Sequence, residues 1–267
     1  MLQAAMSLQD YLSGLGVEDL PPHTSPLDPG YDPGTLESHL RQSAHLISVL
    51  KLSMACWQVA NESATRAKLA SARKHGVKVT AGGGPFEVAA ACGRLPQYLD
   101  LCSGLGLDRI EAGQGFTDTP LDPRRIVTLA DERGLDVQFE IGQKHTGPFT
   151  PGVIAQLIDQ GQEWLDAGAL QVLVEARESA RGVGLFDAVG QLNYAGADSL
   201  VDGFGLELVC FEAPNKASQF ALIDHFGPGV HLSNVRLEEI LRVEIYRRGL
   251  HSDSFRRPHL RPRPRQP

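Results

Sequence analysis

Cysteine is scarce in this sequence and shows no motif. Cys56, Cys92, Cys102 and Cys210 lie far apart, with no C-x-x-C pairing. That spacing excludes a zinc knuckle and a small disulfide framework, and the thiols read as reduced and mostly buried. Long apolar runs are also missing. Nothing approaches the roughly eighteen consecutive apolar residues of a membrane-spanning helix. Met1 to Leu12 lacks the basic start and apolar centre of a signal peptide, so a cytoplasmic location is expected. Positive charge is in deficit, with a formal net charge of −7. Nucleic-acid and membrane-surface partners, which favour basic proteins, are therefore not expected, although a local cationic pocket is still allowed. There is no H-E-x-x-H and no G-x-S-x-G, which removes zinc-peptidase and α/β-hydrolase readings.

The chain of 267 residues is close to the roughly 250 of one eight-fold βα barrel. Its 42% hydrophobic content is enough to bury a sizeable core. Seven aliphatic runs read as strands: Leu46–Lys51, Val77–Thr80, Arg109–Glu111, Leu135–Ile141, Leu170–Glu175, Leu206–Glu212 and Val230–Leu232. An eighth is placed near Gly14–Glu18. Helical segments between them imply a parallel sheet, because each crossover must return the chain to its starting edge. Asp122-Pro123 and Thr150-Pro151 read as N-caps followed by a first-turn proline, and Gly134 as a left-handed stop. Leu237, Ile240, Leu241 and Ile245 form the expected apolar stripe of the last helix, which Gly249 ends. The expected architecture is thus a single-domain (β/α)8 TIM barrel over residues 1–255. It would carry a long loop at 21–34 and a disordered Arg/Pro-rich tail at 256–267.

In such a barrel, residues at the C-terminal ends of the strands face one mouth. Four successive strands end in Glu111, Glu140, Glu175 and Glu212. Carboxylates crowded on one rim repel each other unless a metal ion or cations compensate. Cations lie close in sequence: Lys51, Lys144, Arg177 and Lys216. Oxygen ligands suit magnesium, while lysine and arginine suit a small anionic, perhaps phosphorylated, substrate. The run Gly82-Gly83-Gly84 has neither the G-x-G-x-x-G spacing nor a P-loop lysine, and serves equally as a tight turn. Asn234 reads either as a ligand contact or as the N-cap of the final helix, and His145 and His231 read as ordinary loop and strand-end residues.

These same residues resemble the phosphosulfolactate synthase family. The likeness is carried by VLKLS with Lys51, AGGGPFE with Glu87, RIEAGQG with Glu111 and FEIGQK with Glu140 and Lys144. It continues through VEARESARGVGLFD at Val174–Asp187, FEAPNK at Phe211–Lys216, FGPGVHLSNV and YRRGLHSDSF, covering Leu46 to Phe255. The resemblance implies magnesium-dependent addition of sulfite to phosphoenolpyruvate. Glu111, Glu140, Glu175 and Glu212 would hold the metal, and Lys144 would act with Glu140 and Glu175 in proton transfer. Lys51, Arg177, Glu178, Ser179, Lys216 and Asn234 would contact the substrate. A homo-oligomer is also allowed.

Some positions depart from the family pattern. Gly113-Gln114-Gly115 stands where a serine-aspartate-glycine is usual, and Met54-Ala55-Cys56 where glycine-threonine-serine is usual. The basic residue and threonine of the first strand are missing around Gly14–Asp19. Two other readings stand beside this one, the first motivated by these departures and the second, a weaker one, independent of them. One is a non-catalytic barrel like the plant heat-stress-associated proteins of the same wider family. The other is a sugar-phosphate aldolase or isomerase using Lys144 or Lys216 as a Schiff base.

Overall fold

A computed structural model describes residues 6–264. Eight strands run parallel and close into a barrel in simple chain order. They are β1 (Thr24–Asp28), β2 (Leu50–Leu52), β3 (Val79–Ala81) and β4 (Arg109–Gly113), followed by β5 (Asp136–Ile141), β6 (Gln171–Val174), β7 (Val209–Glu212) and β8 (His231–Arg236). The α-helices are α1 (Leu8–Gly14), α2 (Pro33–Ser43), α3 (Cys56–Val59), α4 (Glu62–Lys74), α5 (Gly83–Ala91) and α6 (Leu95–Leu105). The second half adds α7 (Pro123–Asp131), α8 (Pro151–Ala167), α9 (Tyr194–Phe204), α10 (Lys216–Phe226), α11 (Ile240–Arg247) and α12 (Ser252–Phe255). Every strand but β1 falls where an aliphatic run predicted it. This is the expected (β/α)8 TIM barrel, and no described helix is long and apolar enough to cross a membrane.

The helix punctuation works as its residues dictate. Asp122 accepts from Arg125 N and Thr150 from Val153 N, each satisfying an otherwise orphan donor of the first turn, with proline beside it. The outer faces of the strands pack on these helices. Phe139 of β5 stacks on Trp164 of α8 at 4.4 Å between ring centroids, and Phe211 of β7 stacks on Phe226 of α10 at 5.5 Å. Both pairs are nearly parallel stacks between the sheet and the helix layer.

Several expectations change. Gly14–Glu18 is no strand: Ser7 makes a capping box with Asp10, α1 follows, and the chain then turns at Gly16 with φ +79°. The first strand is instead Thr24–Asp28, inside the segment expected to be a long loop. Its sequence, TSPLD, has one β-branched residue and a proline, so nothing local marks it as a strand. Pairing on both sides makes it one: Leu27 registers with Lys51 and Thr24 with Leu232, with a register shift before Pro26. β1 begins at Thr24 with His23 before it, so Gly14–Asp19 is not first-strand sequence.

In the helix after β8, expected to be the last, α11 buries Ile240, Val243 and Tyr246, while Leu241 and Ile245 are exposed. The stripe follows the 240/243/246 face, one position round from the expected one. Residues 256–264 of the tail are mostly exposed but touch the barrel at a few points. Leu260 is buried, Arg257 pairs with Asp224 at 2.8 Å, and Arg261 lies over the Phe255 ring. Residues 265–267 of the tail lie outside the described residues. Finally, all four cysteines are free, but only Cys102 and Cys210 are buried; Cys56 is half-buried and Cys92 exposed.

Candidate active site

Parallel strands deliver all their C-terminal ends to one mouth, and there a cavity of about 1050 Å³ opens. Lys51, Glu111, Glu140, Lys144, Glu175 and Glu212 line it. The four glutamates, scattered across a hundred residues of sequence, are all buried. Burying a carboxylate is costly unless donors replace its water. Lys51 Nζ lies 2.9 Å from Glu111 Oε1 and 3.3 Å from Glu212 Oε1. Lys144 Nζ lies 2.6 Å from Glu140 Oε1 and also contacts Glu175 Oε2. Backbone and amide donors add to this. Gly83 N and Gln138 Nε2 donate to Glu111, Ala176 N and Asn234 Nδ2 to Glu212, and Arg177 N to Glu175.

Four carboxylates share two ammonium groups, and their ionisation reflects the imbalance. Burial pushes Glu175 up to about 9, with Glu140 and Glu212 adding repulsion that Lys144 does not cancel. Burial likewise raises Glu111 to about 7 against the pull of Lys51. Glu140 moves the other way: burial opposes its charge, but Lys144 and then Lys51 outweigh that and hold it at about 2. Burial opposes the charge on Lys51 and Lys144 too, yet the surrounding carboxylates raise both above the ordinary lysine range. Lys144 thus stands between two carboxyl groups pushed in opposite directions, Glu140 toward its charged form and Glu175 toward its neutral one.

The expected magnesium cage of four glutamates is not assembled. Every oxygen of the four carboxylates except Glu140 Oε2 already accepts from a described donor. No group of three or more His, Cys, Asp or Glu among the described residues converges as metal ligands. The carboxylates come together, but on lysines rather than around a common centre.

The other expected residues divide. Arg177, Glu178, Ser179 and Asn234 line the cavity, with Arg177 at φ +56° and its guanidinium donating to Lys144 O at 3.0 Å. Asn234 belongs to β8 rather than capping the final helix. Its φ is +55°, and its Oδ1 is buried without a partner. Strained backbone of this kind costs about 1–3 kcal/mol and gathers at functional sites. Met54 also lies in this region of φ and lines the same mouth. Lys216 does not line the cavity. It opens α10 on the surface, where it faces Asp253 at 3.5 Å and lies over the Phe220 ring. His231 starts β8, at the opposite end of the barrel, whereas His145 stands at the mouth beside Arg177. Arg181 and Phe116, from loops that carry no periodicity, and Arg236, the last residue of β8, also line the mouth and were not anticipated.

The family model for (2R)-phospho-3-sulfolactate synthase (ComA) matches residues 23–253. The chain belongs to this family. Phosphosulfolactate synthase of Methanocaldococcus jannaschii is 33% identical over 86% of this chain and 92% of its own length. The phosphosulfolactate synthase of Methanothermobacter thermautotrophicus is 28% identical over 87% and 90%, respectively. The chain is an enzyme of the phosphosulfolactate synthase family, whose substrates are small anions. Solved structures with low sequence identity share the fold alone. Deoxyribose phosphate aldolase from Aeropyrum pernix superposes with a TM-score of 0.56 at 15% identity, covering 90% of this chain and 98% of that one. A 3-hexulose-6-phosphate synthase from Salmonella typhimurium gives 0.55 at 10% identity, over 86% and 100%. The match from residue 23 spans β1, which the motifs read from sequence did not reach.

Proposed function

We propose that the cavity adds sulfite to the methylene carbon of phosphoenolpyruvate, giving phosphosulfolactate. The sulfur lone pair forms the C–S bond, and the double-bond pair moves toward the neighbouring carbon and its carboxylate. Lys144 Nζ then delivers a proton to that carbon and is reprotonated from solvent. The observation that carries this reading is the Lys144 ammonium held on the cavity wall between Glu140 and Glu175. Those carboxylates keep it charged and fix its direction, and an enolate-like carbon is a strong enough base to take its proton. Arg177, Arg181 and Arg236 line the mouth and would bind phosphate, with Ser179 and Glu178 beside them. Lys51 would stabilise charge growing on the substrate carboxylate, because its own partners leave it buried and oriented.

Magnesium would be held by fewer carboxylates than the four expected. An ion held by one or two carboxylates, with Glu140 first because of its uncommitted Oε2, would be completed by water and substrate oxygens. It would supply Lewis-acid stabilisation of negative charge. A Schiff-base mechanism fits less well. It needs a neutral amine, whereas Lys144 is held charged and Lys216 stands off the cavity.

Incubation with magnesium, phosphoenolpyruvate and sulfite should consume both substrates and yield one product with a new C–S bond by mass spectrometry. Lys144→Ala should lower kcat by about 10²–10⁴-fold, the usual worth of a positioned proton donor. Absence of the product from the wild-type reaction would exclude sulfite as nucleophile. Full activity in the lysine variant would remove Lys144 from the chemistry.

A further inference from the structure

Glu87 belongs to none of the ligand or proton-transfer roles above, yet it is among the most completely enclosed carboxylates in the chain, at 1% exposed. It sits in the first turns of α5, two strands away from Lys144. The loop after β4 wraps around it. Gly115 N donates to Glu87 Oε1 at 3.0 Å, and Phe116 N and Thr117 N donate to Oε2 at 3.0 and 3.1 Å. The Thr117 hydroxyl adds a fourth donor at 3.2 Å. Three successive backbone N–H groups turned toward one point form a nest, a shape that elsewhere captures external anions. Here the chain fills the nest with its own carboxylate.

The same loop is the wall behind Lys144. Gly115, whose N–H is held by Glu87, uses its carbonyl to accept from Lys144 N at 2.8 Å. Its Cα faces the lysine stem so closely that an added Cβ would lie 2.9 Å from Lys144 Cε and 3.2 Å from Nζ. A single residue, Gly115, therefore has Glu87 on one side and Lys144 on the other. At the root of the loop, Gly113 is wedged in the same way, with its Cβ position 3.4 Å from Glu140 Cβ and 3.8 Å from Glu87 Oε1.

We propose that Glu87 is a positioning residue: its carboxylate shapes the 115–117 loop, and that loop sets where the Lys144 ammonium stands. A carboxylate offers lone pairs to all four donors at once. A glutamine of the same size presents an NH₂ to at least one of the N–H groups, so it cannot hold the loop in this shape. The catalytic consequence rests on the proton-donor role proposed for Lys144, but the geometric consequence does not.

The test therefore reads both. Wild type and Glu87→Gln are first compared by thermal unfolding, to establish that both are folded. Trace acetylation followed by peptide mass spectrometry then gives the labelling of Lys144 relative to Lys78. The latter side chain is 60% exposed and serves as internal reference. In the variant this ratio should rise by about tenfold as the wall loosens. With phosphoenolpyruvate and sulfite, kcat should fall by about 10²-fold while KM stays within about threefold, the signature of a misplaced group rather than a lost binding contact. Thr117→Val, which removes one donor of the four, should shift both readings the same way by about threefold.

A folded Glu87→Gln protein with wild-type labelling of Lys144 overturns the proposal. If that variant does not fold, unchanged labelling in Thr117→Val overturns it instead. A wild-type enzyme inactive on sulfite would count against the proposed reaction only, because the labelling comparison still decides whether Glu87 holds Lys144.

Discussion

At the N-terminal end of the barrel, Glu244 is enclosed by Arg247, Arg248 and the Thr24 hydroxyl. At the C-terminal end, four glutamates divide two lysines among them. Arg247 also donates to Val230 O at 2.9 Å and to Pro228 O, so one guanidinium ties α11 to the start of β8 across the seam with β1. Cations are in excess there, the donors are spent on fixed acceptors, and the cluster holds the seam. In the glutamate–lysine cluster of the mouth, four carboxylates face two ammonium groups, protons are unevenly shared, and the positive-φ residues Met54, Arg177 and Asn234 stand around it. Buried charge on its own therefore does not mark a site. Buried charge left unbalanced beside a cavity does.

The sharpest way to break this contrast is to remove one cation from each end. Arg247→Met strands two carbonyls and part of Glu244, and should cost about 3–5 kcal/mol in denaturant unfolding. Lys51→Met should cost about 1–3 kcal/mol at pH 7, because Glu111, already raised to about 7, escapes by taking up a proton. Its cost should be smaller at pH 6 than at pH 8. Equal costs for the two variants at every pH would mean that the ends are built alike.

A smaller effect is expected in how stability depends on pH, with opposite sign at the two ends. His231 packs edge-to-face on His23 at 4.6 Å, with Glu207 and Arg247 nearby. Burial, then His23, lowers it from 6.5 to about 4. Its contribution is complete above 6.5 and is lost as pH falls from 6.5 toward 4, where the unfolded chain binds the extra proton. Glu175 is raised from 4.5 to about 9, so the folded chain binds the extra proton between those values. Its contribution is present below 4.5 and is lost as pH rises toward 9. Unfolding midpoints measured from pH 4.5 to 9 should show His231→Asn flattening the acid slope and Glu175→Gln the alkaline one. A single slope abolished by either variant would contradict the separation.

The smallest effect expected is for Lys216→Ala. With its ammonium on the surface against Asp253, the variant should change stability by less than about 0.5 kcal/mol and the KM for phosphoenolpyruvate by less than about twofold. A large rise in KM would return Lys216 to the mouth.

Much of this was legible in one dimension. The aliphatic runs of β2 through β8 stand out because strands covered on both faces are rich in aliphatic residues, and parallel strands with Glu111, Glu140, Glu175 and Glu212 at or near their ends must meet at one rim. The strand β1 was not legible. TSPLD has no such pattern and becomes a strand only because β2 and β8 supply partners. Lys51 and Lys144 were visible as nearby cations, but that they divide the four glutamates pairwise, leaving no converging ligand set, depends on side-chain directions that no spacing encodes. Lys216 shows the converse: closeness in sequence to Glu212 did not place it in the cavity. Glu87 was one residue within a recognisable motif, and only the returning loop gives it a partner.

Strand periodicity, helix caps and strand-end charges thus settled the barrel and the carboxylate-rich character of its mouth, since these are local rules acting along the chain. The first strand, the sharing of protons among buried carboxylates and the hold of Glu87 on the loop behind Lys144 were decided in three dimensions. Each depends on groups far apart in sequence being brought within a few ångströms, where desolvation and hydrogen-bond geometry set the energies.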